Sequence, residues 1–490
     1  MEKDMDSKEK NFNSKDMKRI FYLVTIVLVI ALTILSFLIP IKYIQWNSFE
    51  KFDMVLYAII VLIPLVIIAI FGTKSISKNF TKKKVALTYF YLALVCIYVF
   101  SLIYVTWETG DYTRFLSKWY AYYENNSLKD SLYGIVDVSN YTPAYNYLLI
   151  IMAKIGFTDL YGIKLITYAF SFLLAYAVAK IVSSIKKTNF NYIVFITTMI
   201  LPMVLIEYTA WGQCDAIYTS FAMLAFYFAL NKKSKLSFLF LGISFAFKLQ
   251  FLFIVPILFV MLIIKDENGE HYLKWKDIWI VPLMYAINLV PAFAGRSVLD
   301  LILVYFSQSA QDNRLAGDCA NICEIYMLFD VGGIAKTILM ILHILFTAVV
   351  LTLLLIFTFK RYKAKGLTKN DLVYIAMLFA FSMVFFMPKM LDRFYFIALM
   401  LSVINAFVTP TRLNTLIAGS MNTAVWVGVC HSYIKILHTG ISFKICMTIA
   451  IIINFVTFAL LIYNTIKNYK IDKQHTKDEN KILYDNTEEL

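Results

Sequence analysis

From Ile20 to Asn464 the sequence is a succession of apolar runs, many near the length of a membrane span, separated by short polar or basic segments. About 20 apolar residues in helical form cross a bilayer core. Inside that core every backbone amide and carbonyl must be paired within the protein. A chain of this pattern is expected to fold as an all-α polytopic membrane protein. Composition agrees: 60% of the 490 residues are hydrophobic, 17% aromatic and only 16% charged, which is outside the usual range of soluble domains.

The formal charge of +14 comes from short lysine and arginine clusters between the apolar runs. Such clusters set topology, so no nucleic-acid partner is expected. The six cysteines show no CxxC spacing and the five histidines do not cluster, so neither a metal site nor another cofactor is expected. Cys319 and Cys323 read as two thiols on one helix face rather than a disulfide.

The polar tail 1–19 precedes Ile20 to Ile44, which is too long for a signal-peptide core and is expected to remain as the first span. Met54 to Gly72 and Ala86 to Trp107 complete an amino-terminal membrane region, 20–107. A polar loop, 108–156, then interrupts the hydrocarbon before a transmembrane core, 157–466, and a lysine-rich tail, 467–490. Within the core, Leu160 to Val182, Phe190 to Ile206, Asp215 to Leu230, Asp277 to Ala294, Ile334 to Phe359, Asp371 to Met387, Arg393 to Val408, Leu413 to Tyr433 and Cys446 to Asn464 are each read as crossings. The run 236–264 is interrupted by Lys248 and Gln250. Reading it as a hairpin returns the basic segment Lys360 to Lys369 and the tail to the cytoplasmic side with the other clusters. The expectation is about 14 spans, both termini inside and a plasma-membrane location.

That topology gathers the polar motifs at the outer face. Glu108 and Asp111 open the loop, followed by Phe115, Trp119, Tyr122 and Tyr123 at the spacing of a helix lying on a membrane. Asp111 suits either the cap of that helix or a general base that takes a proton from an attacking hydroxyl. Glu207, Trp211, Gln213 and Asp215 crowd two acids and an amide into one turn at the membrane edge, a costly place for idle polar groups. Trp211 could also be an interface anchor and Asp215 a helix cap. Lys248, with Gln250 beside it, reads as a snorkelling lysine or as a cation for a lipid phosphate. Arg296, Arg314 and the pair Asp392 and Arg393 suit structural ion pairs or bidentate phosphate binding.

Taken in order, GDYTRFLSKWY from Gly110, YTPAYNYLL from Tyr141, WGQCDAIY from Trp211, FKLQFLFIVP from Phe247, GRSVLDLILVYFSQ from Gly295 and MPKMLDRFYF from Met387 form a pattern. It resembles that of bacterial GT-C glycosyltransferases of the mannosyltransferase-related group. The resemblance implies a multi-span enzyme, with a polyprenyl-phosphate-linked sugar as donor, a glycan or lipid acceptor, and inversion at the anomeric carbon on the outer face. By position Asp111 matches the catalytic acid of the first loop, and Lys248 with Arg296 would lie near the donor phosphate. The last motif departs from the family's His-Glu-Arg, reading Leu391, Asp392, Arg393, which removes any role for a histidine there. The alternatives are an envelope polysaccharide polymerase or ligase and a lipid-linked-sugar flippase or transporter. A transporter would place its ionisable residues in mid-membrane and show internal repeats.

Overall fold

The computed structural model describes residues 48–79, 82–294, 296–305, 314–434 and 443–488. The amino-terminal tail and the expected first span, Ile20 to Ile44, lie outside the described residues, as does Gln308. The chain enters through α1 (Ser48–Asn79) and returns through α2 (Lys83–Tyr104), which pack against each other. Phe90 fills the notch left by Gly72, where a Cβ would come within 2.3 Å of its ring.

The polar loop is helical almost throughout. A π-helical turn, Tyr112–Leu116, runs into α3 (Ser117–Asn125), and the short helices α4 (Leu128–Tyr133) and α5 (Ile135–Val138) follow. α6 (Pro143–Lys154), with proline at its first position, closes the loop. The buried face of this stretch is Tyr112, Leu116, Trp119, Tyr120 and Tyr123, while Phe115 is exposed. The expected face is therefore rotated by one residue. The π turn, in which Ser117 N–H reaches Tyr112 O, supplies the extra residue that shifts the phase.

The core follows with α7 (Asp159–Ile185), α8 (Tyr192–Met199), α9 (Pro202–Ile206), α10 (Asp215–Leu230), α11 (Ser234–Phe247) and α12 (Val255–Ile263). Between α11 and α12 the backbone is extended at Lys248 (φ −160°, ψ 142°) and a 3-10 turn, Leu249–Ile254, follows. The chain doubles back there. Lys232, before α11, pairs with Asp266 and with Glu270, the latter at 2.7 Å, beyond α12. α13 (Ile280–Leu289) packs so closely on α11 that a Cβ at Gly242 would sit 3.0 Å from Val281 O.

Beyond α14 (Val298–Ile302) and β1 (Ala316–Gly317) come α15 (Ile322–Leu328), α16 (Gly333–Lys365) and α17 (Lys369–Phe386). β2 (Met390–Leu391) pairs in parallel with β1, Ala316 opposite Met390. This pins the segment that leads through the turn Asp392–Tyr395 into α18 (Phe396–Val408). α19 (Arg412–Ile434) and α20 (Phe443–Glu488) complete the described chain, and α20 carries the expected tail as continuous helix to Glu488. α17 is buried along almost its whole length, whereas α16 exposes Ile338, Ile341, Leu345, Val349, Leu353 and Ile356, the surface of a lipid-facing helix.

Among the described residues six helices are long and apolar enough to cross a membrane, or seven if α8 and α9 with the turn after it form one bent crossing. The chain is a helical multi-pass membrane protein, but the expectation of about 14 spans is corrected. Phe190 to Ile206 is bent by 62° where Pro202 interrupts the backbone bonding. α10 has 16 residues, α11 14, α13 10 and α18 13. At about 1.5 Å per residue all fall short of a core of about 30 Å. α19 mixes Arg412, Asn414 and Asn422 into its apolar residues and does not qualify.

Candidate active site

Four separate segments, one of them the start of the polar loop, meet at one place. The first is the turn after α9, which widens into a π-helical turn, Glu207–Trp211, closed by Gly212 N–H to Glu207 O at 2.8 Å. Gly212 is left-handed (φ 72°, ψ 30°), and a Cβ there would come within 2.9 Å of Ile163. Only glycine suits both demands. The reversal places Trp211 Nε1 and Gln213 Nε2 side by side, and both donate to Asp111 Oδ2, at 3.1 and 3.0 Å. Gly212→Ala is expected to destabilise the protein by about 1–3 kcal/mol, read as a lowered melting temperature in detergent. An unchanged melting temperature would show that the turn tolerates a side chain.

The second segment carries Asp111 itself. Its side chain makes no capping bond to the helix that follows. Besides the two neutral donors, Arg393 Nη1 lies 3.5 Å from the same Oδ2. No described residue takes Oδ1. The carboxylate is thus held by one oxygen and open at the other. Its approach is fixed by Lys164, a buried residue near the start of α7, whose ammonium donates to the carbonyls of Tyr104, Val105 and Trp107 at 2.5, 2.8 and 2.7 Å. Tyr104 O, at the end of α2, also accepts the Trp107 N–H at 3.0 Å, so the ammonium closes the exit of that helix. Tyr112 adds a second anchor, donating to Asp159 Oδ2 at 2.5 Å.

The third and fourth segments bring the cations. Asp215, fully buried at the first residue of α10, lies between them: Lys248 Nζ is 2.7 Å from Oδ1 and Arg393 Nε 3.1 Å from Oδ2. The Arg393 contact is an ion pair without hydrogen-bond alignment. Lys248 sits at the chain reversal with its ammonium 5.8, 5.5 and 5.3 Å from the ring centres of Tyr141, Tyr218 and Phe394. Arg393 lies over the Trp211 ring at 5.4 Å and 3.5 Å from Asp392 Oδ1. One guanidinium therefore joins Asp111, Asp215 and Asp392.

Glu207 plays a different part. Its Oε1 accepts the backbone N–H groups of Asp215 and Ala216 at 2.8 and 3.4 Å, so it caps α10 and fixes the turn rather than facing Asp111. Asp392 is also buried. Burial pushes its carboxyl up to about 7, opposed by Arg393, while Asp111 and Asp318 add repulsion. A folded-state value above the ordinary carboxylate range means that the folded chain holds a proton which the unfolded chain releases. Its contribution to stability should then fall as pH rises from about 4 to about 7 and level off above. Asp392→Asn should flatten that slope, and an identical slope in the variant would place the titration elsewhere.

Three expected residues stand apart from this cluster. Glu108 is exposed, close enough to Lys164 to act on it electrostatically. Gln250 is half-buried with Oε1 unpartnered. Arg296 pairs with Asp137 and lies 4.5 Å over the Tyr133 ring. It borders a cavity of about 620 Å³ whose wall includes Phe115, Trp119, Asp137, Asn140 and Asp300. Trp119 connects that cavity to the cluster, since it packs on Tyr141 at 5.3 Å and the Tyr141 hydroxyl lies 3.4 Å from Gln213 Oε1. Cys319 and Cys323 are free and buried, Cys319 lying ahead of α15 rather than on it.

Sequence reasoning overlooked Lys164 and Asp159. The signal was present in each: a lysine inside an apolar span, and an acid at a helix start. No family model matches the chain, and no curated protein matches it.

Proposed function

We propose that this protein is an integral-membrane glycosyltransferase that moves a hexose from a polyprenyl-phosphate-linked donor to a glycan or lipid acceptor at the outer face, with inversion. The observation that carries the reading is Asp111: one carboxylate oxygen is held by Trp211 and Gln213, the other is open, and a guanidinium lies alongside. A base restrained in this way can receive a proton from a hydroxyl in hydrogen-bond reach. The adjoining cavity supports a sugar ligand, since it combines the aromatic faces of Phe115 and Trp119 with Asp137, Asn140 and Asp300.

In the proposed reaction the acceptor O–H gives its proton to Asp111 as its oxygen bonds to the anomeric carbon. The bond from that carbon to the phosphate oxygen breaks, and the electron pair leaves on the lipid phosphate. Arg393, next to Asp111, offsets the charge that develops there. Lys248 acts at one remove, because its ammonium is committed to Asp215 and holds the partner that orients Arg393. The scheme draws its positive charge from side chains, so transfer is expected to persist in chelator.

Vesicles holding the full chain, supplied with labelled polyprenyl-monophosphate hexoses or with lipid-diphosphate oligosaccharides, test the reading. Label should move to the acceptor from the monophosphate alone. Transfer from the diphosphate alone would make the protein a polymerase or ligase, and donor movement across the vesicle without transfer would make it a flippase.

A further inference from the structure

The far end of the bundle holds a second polar pocket. α17 runs for 18 residues, about 27 Å at 1.5 Å per residue, and its last turn leads to Asp392 while its first turn borders this pocket. The cavity, about 310 Å³, lies where the end of α16, the start of α17, the end of α18, the start of α19 and the middle of α20 converge. Arg361 and Lys365 supply cations, and Asn405, Asn414 and Asn464 supply amides. Together they make a polar site separate from the Asp111 cluster.

Most polar groups in the pocket are already paired. Asp371 accepts Arg361 Nη2 at 2.6 Å on one oxygen, and on the other Thr368 N and Oγ1 at 3.0 and 2.7 Å, with Lys365 Nζ 4.0 Å from that second oxygen. Asn414 Oδ1 accepts Asn464 Nδ2 at 3.0 Å, and Asn414 Nδ2 donates to Thr409 O at 2.8 Å. Asn405 is the exception. It is 2% exposed, lines the pocket, and its Nδ2 has no hydrogen-bond partner. A buried unpaired donor costs about 1–3 kcal/mol, so its retention beside two cations calls for an acceptor. The geometry points to a binding site here for a phosphate-bearing anion, distinct from the Asp111 cluster. The pocket lies at the end of α16, a helix with an exposed apolar flank, so the phosphate can belong to a lipid headgroup or be free. This inference does not depend on the glycosyltransferase reading.

The test measures the melting temperature of the full chain in detergent with added phosphatidylglycerol, phosphatidylcholine or inorganic phosphate. Phosphatidylglycerol or phosphate should stabilise the wild type and phosphatidylcholine should not. Stabilisation by phosphatidylglycerol alone identifies a lipid headgroup, and stabilisation by phosphate identifies the free ion. Asn405→Leu, which removes a donor that has no partner, should leave the unliganded protein as stable as before or more so. Its apparent affinity for the stabilising additive should fall about tenfold or more, the worth of one hydrogen bond to a charged group. Lys365→Gln, on an exposed residue at the rim, should also weaken binding and serves should Asn405→Leu fail to fold. No stabilisation by either anion, equal stabilisation by phosphatidylcholine, or full affinity in a folded variant would overturn the proposal.

Discussion

Arg393→Gln is expected to lower the melting temperature sharply and to abolish glycosyl transfer. The guanidinium stands among Asp111, Asp215 and Asp392, at 3.5, 3.1 and 3.5 Å. Removing it leaves Asp215 buried with Lys248 as its one remaining cation, takes the guanidinium from Asp111, and favours the neutral form of Asp392, whose charge Arg393 supports. Breaking a buried ion pair from one side costs about 3–5 kcal/mol, because the surviving charge stays desolvated. Neutralising Asp215 as well cannot offset the loss, since it strips the buried Lys248 of its carboxylate; Arg393→Lys, which keeps a cation without the planar fork, should recover part of the stability and little transfer. If the single variant is as stable as the wild type, the network does not hold the four segments together. If Arg393→Lys restores transfer in full, the guanidinium fork has no part in holding the leaving phosphate.

Asp111→Asn is expected to cut turnover by about 100-fold to 10,000-fold, the usual contribution of a general base, with little change in donor KM or melting temperature. The amide oxygen can still accept from Trp211 and Gln213, so the local geometry survives while the proton acceptor is lost. This pattern separates a catalytic carboxylate from a structural one, whose loss would appear in stability first. If turnover survives, the base lies elsewhere. Glu108, exposed on the same loop, is then the first alternative, because Glu207 and Asp215 are committed to the α10 cap and to the two cations.

Much of the site can be read in the sequence because polar residues in a hydrocarbon chain need a reason to be there. Asp111, Trp211, Gln213, Asp215, Lys248, Asp392 and Arg393 all stand out on that ground, and the structure brings them together. Their individual parts could not be read in the same way. Glu207 has the composition of a catalytic acid and the geometry of a helix cap, a difference decided by the π turn and by Gly212. Arg296 looks like a phosphate ligand until Asp137 and Tyr133 are found beside it. Lys248 interrupts an apolar run as a phosphate-binding cation would, yet its charge is spent on Asp215.

The all-α architecture was equally plain, but the number of crossings was not. An apolar run reports what surrounds a segment, and a helix buried in protein looks much like one that faces lipid. The interior can therefore accommodate breaks at Pro202 and Lys248, where freed backbone groups find partners such as Thr142, whose hydroxyl donates to Phe247 O at 3.0 Å. Counting hydropathic runs treats each as a straight rod and so overcounts.

The most direct measurement is the anomeric configuration of the product formed by the wild-type protein from a labelled polyprenyl-monophosphate hexose of known configuration, read by NMR. Single displacement with Asp111 as base requires the opposite configuration at the anomeric carbon. Transfer with inversion is the expected result. Transfer with retention, or intact donor after prolonged incubation with folded protein, would contradict the account.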